Sequence, residues 1–292
     1  MYYIIFNPTA GAGRSVKVMQ AIQQHLESKK VAYKVAETQY ARHAVKLARE
    51  AVGKGYKGII SVGGDGTLLE VAGELHGTEE TLGIIPAGTG NDFRQAVHVS
   101  KDPIEALETI LDGHSKTVDI GFLGEDRPFL NVAGTGFDVE VIRNMEKVRR
   151  LVTGGLAYFI GIVMSLFKHK GVNIKITVNG ETMIRKVLLI AVANGKSFGG
   201  GLKVAPHSSV NDGLFNVLII NHVPNWRILV ELPKLKKGQI EKISVAEQLT
   251  CSDIHISSET PLSFDLDGEV YDQTPSHLRI KPAVLHVFSP DN

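Results

Sequence analysis

The segment GIISVGGDGTLLEVAGEL (residues 58–75) runs from a buried-looking strand into a turn made of glycines, an aspartate and a threonine. Gly63, Gly64 and Gly66 have no Cβ and reach positive φ easily, so backbone N–H groups can approach an anion there. A helical pattern starts at Thr67, and the N-terminal end of a helix also attracts negative charge. The turn therefore predicts a phosphate site; the alternative is a tight turn with a helix-capping aspartate.

Asp65 lies in the middle of this anion-attracting turn. Its carboxylate would repel a phosphate group unless a cation came between them. Mg²⁺ is the usual cation at nucleotide phosphates, and it prefers oxygen ligands. The sequence therefore predicts Mg²⁺ at Asp65, bound either directly or through water.

The first ~120 residues alternate short apolar runs with longer helical patterns, which predicts a parallel sheet with helices on both faces. In such sheets, ligands bind at the carboxyl ends of the strands. Three glycine-rich stretches follow predicted strands: NPTAGAG (7–13), GGDGT (63–67) and PAGTGND (86–92). We expect the three loops to meet at one edge. The G-x-G-x-x-G fingerprint is incomplete in the first loop, because Val16 occupies its third glycine position. The P-loop pattern that would end at Lys196 and Ser197 also fails, because Ile190 occupies its first glycine position.

The composition excludes several classes of protein. Among 292 residues the formal net charge is +1, so no global field favours nucleic acid, and we expect no nucleic-acid partner. The single cysteine, Cys251, permits neither an internal disulfide nor a cysteine zinc site. The eleven histidines show no ligand spacing, and they are interpreted as scattered surface or structural residues. We expect a cytoplasmic protein without a signal peptide.

After about residue 122 the pattern changes to successive strands, apart from the region 138–168. This predicts an antiparallel β-sandwich domain, with a hairpin turn at VNGE (178–181). The expected domains are 1–122, joined by 283–292 if the chain returns to it, and 123–282. Segment 151–167 has no charge, but it is just short of the ~20 residues that span a bilayer. A helix packed between domains or beside an apolar ligand is favoured for this segment over a membrane span.

Acidic residues in three places are candidates for chemistry. Asp119 lies between apolar residues, where a charge is costly unless it is paired or metal-bound; the alternative is an exposed strand end. Asp212 belongs either to a plain turn or to a cation site. The stretch FDLDGEVYD (264–272) crowds three carboxylates, which raises their pKa values and suits a general base; the alternative is an acidic hairpin tip.

The ordered set of motifs resembles the diacylglycerol kinase catalytic-domain family, specifically its bacterial soluble lipid kinases. The set comprises NPTAGAG, VGGDGTLLEV (62–71), PAGTGNDF (86–93), GFD (136–138), FGGGLKVAP (198–206), NDGLFNV (211–217) and DGE (267–269). The resemblance implies an α/β nucleotide-binding domain and a β-sandwich domain, with the active site in the cleft between them.

The resemblance also implies roles for individual residues. Asp65 and Asp119 match the aspartates that organise the catalytic Mg²⁺, and Glu269 matches the general base for the lipid hydroxyl. The positions that match ATP-binding loops are Asn7, Pro8, Thr9, Ala10, Gly11, Thr38, Gly64, Asp65, Gly66, Thr67, Leu68, Leu69, Glu70 and Thr89. The positions that match a second, structural Mg²⁺ site are Ser209, Asp212 and Leu214. The sequence departs from the family pattern at Leu69 and Ser208.

The expected reaction is Mg²⁺-dependent transfer of phosphate from ATP to a lipid alcohol, with diacylglycerol as the leading acceptor. Phosphatidylglycerol, undecaprenol, a sphingoid base and NAD stay open as acceptors, as does a non-catalytic lipid-binding protein of the same fold. Basic clusters near Lys147, at Lys168 and Lys170, and at Lys234–Lys237 suggest peripheral contact with an anionic membrane at its inner face; solvated helix ends are the alternative. The oligomeric state is open, with a homodimer among the options.

Overall fold

The computed structural model describes residues 1–148, 164–165, 171–197, 199, 201–272 and 276–291. The chain forms two compact units, Met1–Ile120 with Pro282–Asn292, and Gly121–Lys281. The uncharged segment 151–167 lies outside the described residues except for Met164 and Ser165, so its packing stays a prediction.

The first unit is built on a parallel sheet. Its strands are β1 (Tyr2–Phe6), β2 (Tyr33–Glu37), β3 (Ile59–Gly63), β4 (Thr81–Pro86), most of β5 (Ser115–Leu123) and the last part of β15 (Ser276–Phe288). The order is β2-β1-β3-β4-β15, and each of these neighbouring pairs is parallel. Every residue of β1 and β3 is buried, which agrees with a sheet covered on both faces.

Five helices connect these strands. They are α1 (Arg14–Ser28), α2 (His43–Ala51), α3 (Asp65–Leu75), α4 (Phe93–Ala96) and α5 (Pro103–Asp112). Helix α1 packs against α5, and α2 packs against α3. The predicted α/β domain is thereby confirmed. Helix α3 begins two residues earlier than the expected Thr67, because Gly64 is extended and its carbonyl already accepts the N–H of Leu68.

The second unit is antiparallel, as predicted. Its further strands are β6 (Arg127–Phe129), β7 (Val132–Gly136), β8 (Val172–Val178), β9 (Glu181–Ala193), β10 (Phe215–Asn221), β11 (Ala246–Cys251), β12 (Asp253–Ser257), β13 (Ser263–Leu266) and β14 (Glu269–Asp272). Strand β9 pairs with β8 along its first half, and with β7 and β10 along its second half. The β8–β9 turn has Asn179 at φ 51° and Gly180 at φ 81°, the two positive angles that a type I′ hairpin requires.

Two helices of this unit cover one face of its sheet. They are α6 (Phe137–Val148) and α7 (Asn225–Lys237), and they pack with Leu188, Leu218 and other buried residues of β9 and β10. Helix α7 lies between two of the expected strand stretches, in a segment for which the sequence analysis specified no element. Its apolar residues lie on more than one side and it contains Pro233, so the sequence shows no single helical stripe. Within the described ranges, no helix combines the length and the apolar character needed to cross a membrane.

Candidate functional site

The three glycine-rich loops of the first unit lie together at the carboxyl ends of β1, β3 and β4. The Asn7 side chain donates from Nδ2 to Thr67 Oγ1 over 2.9 Å, which joins the first loop to the second. The carbonyl of Gly63 accepts the N–H groups of Ala87 and Gly88, which joins the second loop to the third. Arg14 donates to the Gly88 carbonyl over 2.5 Å, which joins the third loop to the first. The loops therefore form one continuous backbone surface.

Two glycines are needed for this close approach. A Cβ on Gly88 would lie 2.3 Å from Gly64 Cα, so any side chain there would separate the second and third loops. Gly11 has φ +59°, and a Cβ on it would lie 2.4 Å from the Ala87 carbonyl oxygen. Side chains at these positions would move the loops apart and remove the bare backbone that an anion could approach.

Asp65 connects two of the loops through its carboxylate. Oδ2 accepts the N–H of Asn91 over 2.6 Å, and Oδ1 accepts the N–H of Asp92 over 2.8 Å. Gly90 leaves room for this contact, because a Cβ on it would lie 2.7 Å from Oδ2. Hydrogen bonds of backbone N–H groups to a charged carboxylate are among the stronger ones in proteins. Asp65 therefore has a structural role that the sequence analysis did not foresee, and each oxygen keeps a further acceptor position.

Asp119 is buried, which excludes the exposed strand end considered from the sequence. Its side chain lies within β5 at 1% exposure, and Oδ1 accepts the N–H of Ala283 over 2.8 Å. Ala283 has φ 53° inside β15, a left-handed conformation that turns its N–H toward the carboxylate. Asp119 thus binds the C-terminal strand within the first unit, a contact between residues far apart in sequence.

The remaining expected nucleotide positions differ in their surroundings. Thr9 and Thr89 are exposed, whereas Leu68 is buried against the core. Thr38 follows β2, where its N–H donates to the Phe6 carbonyl. Glu70 accepts the N–H of Ala44 near the start of α2, so its carboxylate also has a helix-capping role.

Glu269, the expected base, opens β14 immediately after a tight turn in the second unit. Its side chain is exposed, and Oε2 accepts the Tyr271 hydroxyl over 2.6 Å. The preceding Asp267 fixes the turn, because its two oxygens accept the N–H groups of Leu130, Asn131 and Val132 at 2.6–2.9 Å. Asp267 is therefore a positioning residue for the turn that carries Glu269.

Asp265 and Asp138 form a buried acidic pair that the sequence analysis did not identify. Asp265 is 1% exposed and Asp138 is 3% exposed. Gly134 lies opposite Asp265 in the β7–β13 ladder, and a Cβ on it would lie 1.7 Å from Asp138 Oδ2. Burial, followed by the neighbouring Asp138 carboxylate, raises the pKa of Asp265 well above its usual range. Only the β7–β13 ladder brings the motifs GFD and FDLDGE together. The spacing of residues in the sequence therefore did not indicate that Asp138 and Asp265 are neighbours.

We expect Asp265→Asn to stabilise the protein more at pH 8 than at pH 5. The raised pKa means that folded Asp265 keeps a proton that the unfolded chain releases above its usual pKa of about 3.9. The stability that Asp265 contributes is therefore lost as pH rises toward its folded pKa. Asparagine does not titrate, and its oxygen can still accept the Gly268 N–H. Calorimetric melting temperatures of both proteins at the two pH values test this.

Asp267→Asn is the matched control for that prediction. Its amide cannot replace a carboxylate that accepts three backbone N–H groups, so we expect a lower melting temperature at both pH values. An Asp265→Asn difference of the same size at pH 5 and pH 8 would contradict the assignment of a raised pKa.

The turn at 207–214 contains the expected structural metal residues. Asp212 is exposed, and Oδ1 accepts the N–H of Leu214 over 3.0 Å, an Asx turn that needs no cation. Ser209 donates to Asn211 Oδ1 over 2.5 Å. The atoms that these residues could offer to a metal are oxygens, the ligand type that Mg²⁺ prefers. The turn is therefore compatible both with a plain turn and with a cation site, the two interpretations made from the sequence.

Two of the histidines, interpreted from the sequence as scattered surface or structural residues, lie together. His255 faces His277 across the β12–β15 ladder, and their rings stack with centroids 4.1 Å apart. Together with Asp253 they offer three ligand atoms within 4.8 Å of one another. Imidazole suits zinc, copper or nickel better than Mg²⁺, so a cation held by these three residues would differ in kind from the Mg²⁺ expected at Asp65.

An apolar pocket lies within the second unit, between α6, α7 and strands β9 and β10. Its lining includes Leu189, Leu202 and Ile228. The two carboxylates among its described lining residues are Asp138 and Glu231. The pocket thus combines hydrocarbon walls with two carboxylates.

Comparison with known families accounts for both units. A family profile described as the diacylglycerol kinase catalytic domain matches residues 1–123. A second profile, described as a YegS C-terminal NAD kinase β-sandwich-like domain, matches residues 131–289.

Individual relatives match along most of their length. A protein of Chromohalobacter salexigens named probable lipid kinase YegS-like is 31% identical over 85% of this chain and 80% of its own. A diacylglycerol kinase of Staphylococcus carnosus is 28% identical over 98% of this chain and 94% of its own. A crystal structure of a proposed diacylglycerol kinase from Bacillus anthracis has a TM-score of 0.82 and 26% identity, covering 99% of this chain and 97% of that one.

Proposed function

Because the chain belongs to the diacylglycerol kinase catalytic-domain family and is an ATP-dependent lipid kinase, we propose that its acceptor is diacylglycerol and its product phosphatidic acid. The observation that carries this choice is the similarity to relatives named diacylglycerol kinase over nearly the whole chain. The apolar pocket supports it, since a diacylglycerol presents two hydrocarbon chains and one free hydroxyl.

The phosphates of ATP bind, in this proposal, on the backbone surface formed by the three loops. Phosphoryl transfer needs mainly positioning and charge neutralisation. The bare glycine backbone and the start of α3 supply N–H groups there, and the exposed Thr9 and Thr89 add hydroxyl groups. Asp65 holds the second and third loops together, so that the N–H groups keep their directions.

Mg²⁺ completes this site in the proposal. The residues fit the ion, because Asp65 and Asp119 are carboxylates and each Asp65 oxygen keeps an acceptor position after its backbone hydrogen bond. When bound, Mg²⁺ neutralises the charge of the transferring phosphate. We also propose that Ser209, Asp212 and Leu214 hold a second, structural Mg²⁺ through oxygen atoms.

Glu269 acts as the general base in this proposal. Its carboxylate takes the proton from the lipid hydroxyl as that oxygen attacks the terminal phosphorus of ATP, and ADP leaves. The Tyr271 hydroxyl orients the carboxylate through one oxygen and leaves the other free for the acceptor. The reaction takes place, we propose, in the cytoplasm at the inner face of the membrane, where ATP and the lipid meet.

The acyl chains occupy the apolar pocket of the second unit in this proposal. We expect Val245→Phe to raise KM for long-chain diacylglycerol several-fold. The phenyl ring is larger than the valine side chain and fills pocket space beside Leu232 and Ile243. Val245 is partly buried, so the change has a modest cost in stability. KM for ATP should stay the same. Steady-state kinetics with both substrates varied measures this, and an unchanged lipid KM would place the chains elsewhere.

The acceptor itself is tested by transfer of labelled γ-phosphate from ATP and Mg²⁺. The panel contains diacylglycerol, phosphatidylglycerol, undecaprenol, sphingosine and NAD. We expect label in phosphatidic acid. Label in another lipid phosphate would keep the kinase and replace the substrate, and label in NADP alone would overturn the choice of a lipid acceptor.

A further inference from the structure

Helix α7 exposes an apolar face to solvent. Trp226 is 67% exposed, Leu229 48% and Val230 53%, and Pro233 is also exposed. The spacing i, i+3, i+4, i+7 places these four residues on one side of the helix. Exposed apolar residues that are adjacent, unlike scattered ones, indicate an interaction surface. We call Trp226, Leu229, Val230 and Pro233 the outer face of α7.

Packing among the residues that the structure describes does not account for the outer face. The opposite side of α7 buries Ile228 and Leu235 at 6% exposure each, with Leu232 packed beside them. Those three residues pack in the same apolar cluster as buried residues of β9 and β10. A tryptophan and two aliphatic residues that stay in water gain no burial free energy on folding, so contacts among the described residues give no reason for the outer face.

Net positive charge lies on the same helix as the outer face. Helix α7 carries four basic residues and one acidic residue, Glu231. Glu231 lies 2.7 Å from Lys234 Nζ and 3.7 Å from Arg227 Nε. Lys236 and Lys237 are exposed, and neither has an ion pair within the part of the chain that the structure describes. Basic residues also suit a helix C-terminus, but that effect does not explain the apolar residues beside them.

We propose that the outer face of α7 docks on an anionic lipid bilayer, an inference that rests on the proposed function of a kinase whose acceptor lies in the membrane. Tryptophan favours the membrane interface, because its ring is apolar and its N–H is polar. A helix with an apolar face beside lysines lies in the interface plane, with the apolar face below the headgroups. The lysines add attraction to anionic lipid, at about 1 kcal/mol for each residue near the surface.

The position of α7 connects this surface to the pocket. Ile228, Leu232 and Leu235 on the inner side of α7 line the apolar pocket. One helix therefore contacts the bilayer with one side and the pocket with the other. A lipid that leaves the bilayer beside α7 would have only the width of the helix to cross before its chains meet apolar side chains again.

The fluorescence of Trp226 tests the proposal directly, because it is the only tryptophan of the chain. The protein is titrated with vesicles of phosphatidylcholine containing one third phosphatidylglycerol, and with vesicles of phosphatidylcholine alone. We expect a blue shift of the emission with the anionic vesicles, quenching by brominated acyl chains, and a weaker response at high salt.

Two variants separate docking from chemistry. Leu229→Glu with Val230→Glu keeps Trp226 as the probe and changes residues that do not line the pocket. We expect vesicle partitioning and activity on vesicle-borne diacylglycerol to fall at least tenfold. Activity on a short-chain diacylglycerol dissolved as monomers should stay within twofold. The matched control is Ile184→Glu, another exposed apolar residue of the same unit at 71% exposure, which should change neither.

The outcomes distinguish this inference from the proposed function. Phosphorylation of vesicle-borne diacylglycerol with no change in Trp226 emission overturns the docking surface and keeps the kinase. A blue shift without phosphorylation of any lipid keeps the surface and overturns the acceptor. A blue shift that grows with protein concentration in the absence of lipid, together with dimers in sedimentation, overturns the bilayer in favour of a second copy of the chain.

Discussion

Glu269→Gln lowers kcat for lipid phosphorylation by about 10²- to 10⁴-fold, the usual contribution of a general base. Glutamine has the same size and still accepts the Tyr271 hydroxyl, so the side chain keeps its place in β14. It cannot take the proton of the lipid hydroxyl. KM for ATP should change little, because Glu269 belongs to the second unit and the three loops belong to the first. Steady-state kinetics with diacylglycerol in mixed micelles measures the loss.

Asp272→Asn is the matched control for Glu269→Gln. Asp272 lies on the same strand, is exposed, and pairs with Arg143 over 3.0 Å. An exposed ion pair contributes about 0–1 kcal/mol to stability, so its loss should leave kcat nearly unchanged. If Glu269→Gln kept more than a tenth of the wild-type kcat, Glu269 would not be the base.

Asp65→Asn lowers kcat/KM by about 100-fold or more, since a displacement of ~1 Å in a positioning element is enough for such a loss. The asparagine oxygen can accept only one of the N–H groups of Asn91 and Asp92, and its own NH₂ group faces the other donor. The contact between the second and third loops therefore weakens. The charge that favours Mg²⁺ is also lost, so the Mg²⁺ concentration for half-maximal rate should rise.

Asp102→Ala separates this catalytic effect from a general loss of stability, because alanine removes the side-chain acceptor that caps α5. The Asp102 carboxylate also accepts two backbone N–H groups, those of Ile104 and Glu105, but it caps α5 rather than joining the loops. Both variants should lower the melting temperature, because hydrogen bonds to a charged group contribute about 1.5–3 kcal/mol. Only Asp65→Asn should lower kcat/KM and change the Mg²⁺ dependence. Equal activity losses in both variants would refute a special role of Asp65.

The loop site was predictable because its signals are local. Strands β1, β3 and β4 are short apolar runs, and each of the three glycine-rich stretches follows one of them directly. In a parallel sheet the carboxyl ends of strands share an edge. The meeting of the loops therefore follows from the alternation of strand and helix patterns and from the glycines that follow the strands. The function of Asp65 was only partly predictable, since its partners Asn91 and Asp92 belong to another loop.

The sequence by itself determined the α/β and β-rich halves, the parallel edge with its three loops and the ordered motifs of the family, because each depends on residues within a few positions of one another. The tertiary structure decided which distant residues meet. It paired Asp138 with Asp265 across a ladder, bound Asp119 to Ala283 in the returning strand and brought His255 beside His277. It also left Trp226 on the outer side of α7. Such contacts depend on strand register and on which side of a helix the core covers, and neither is encoded in local spacing.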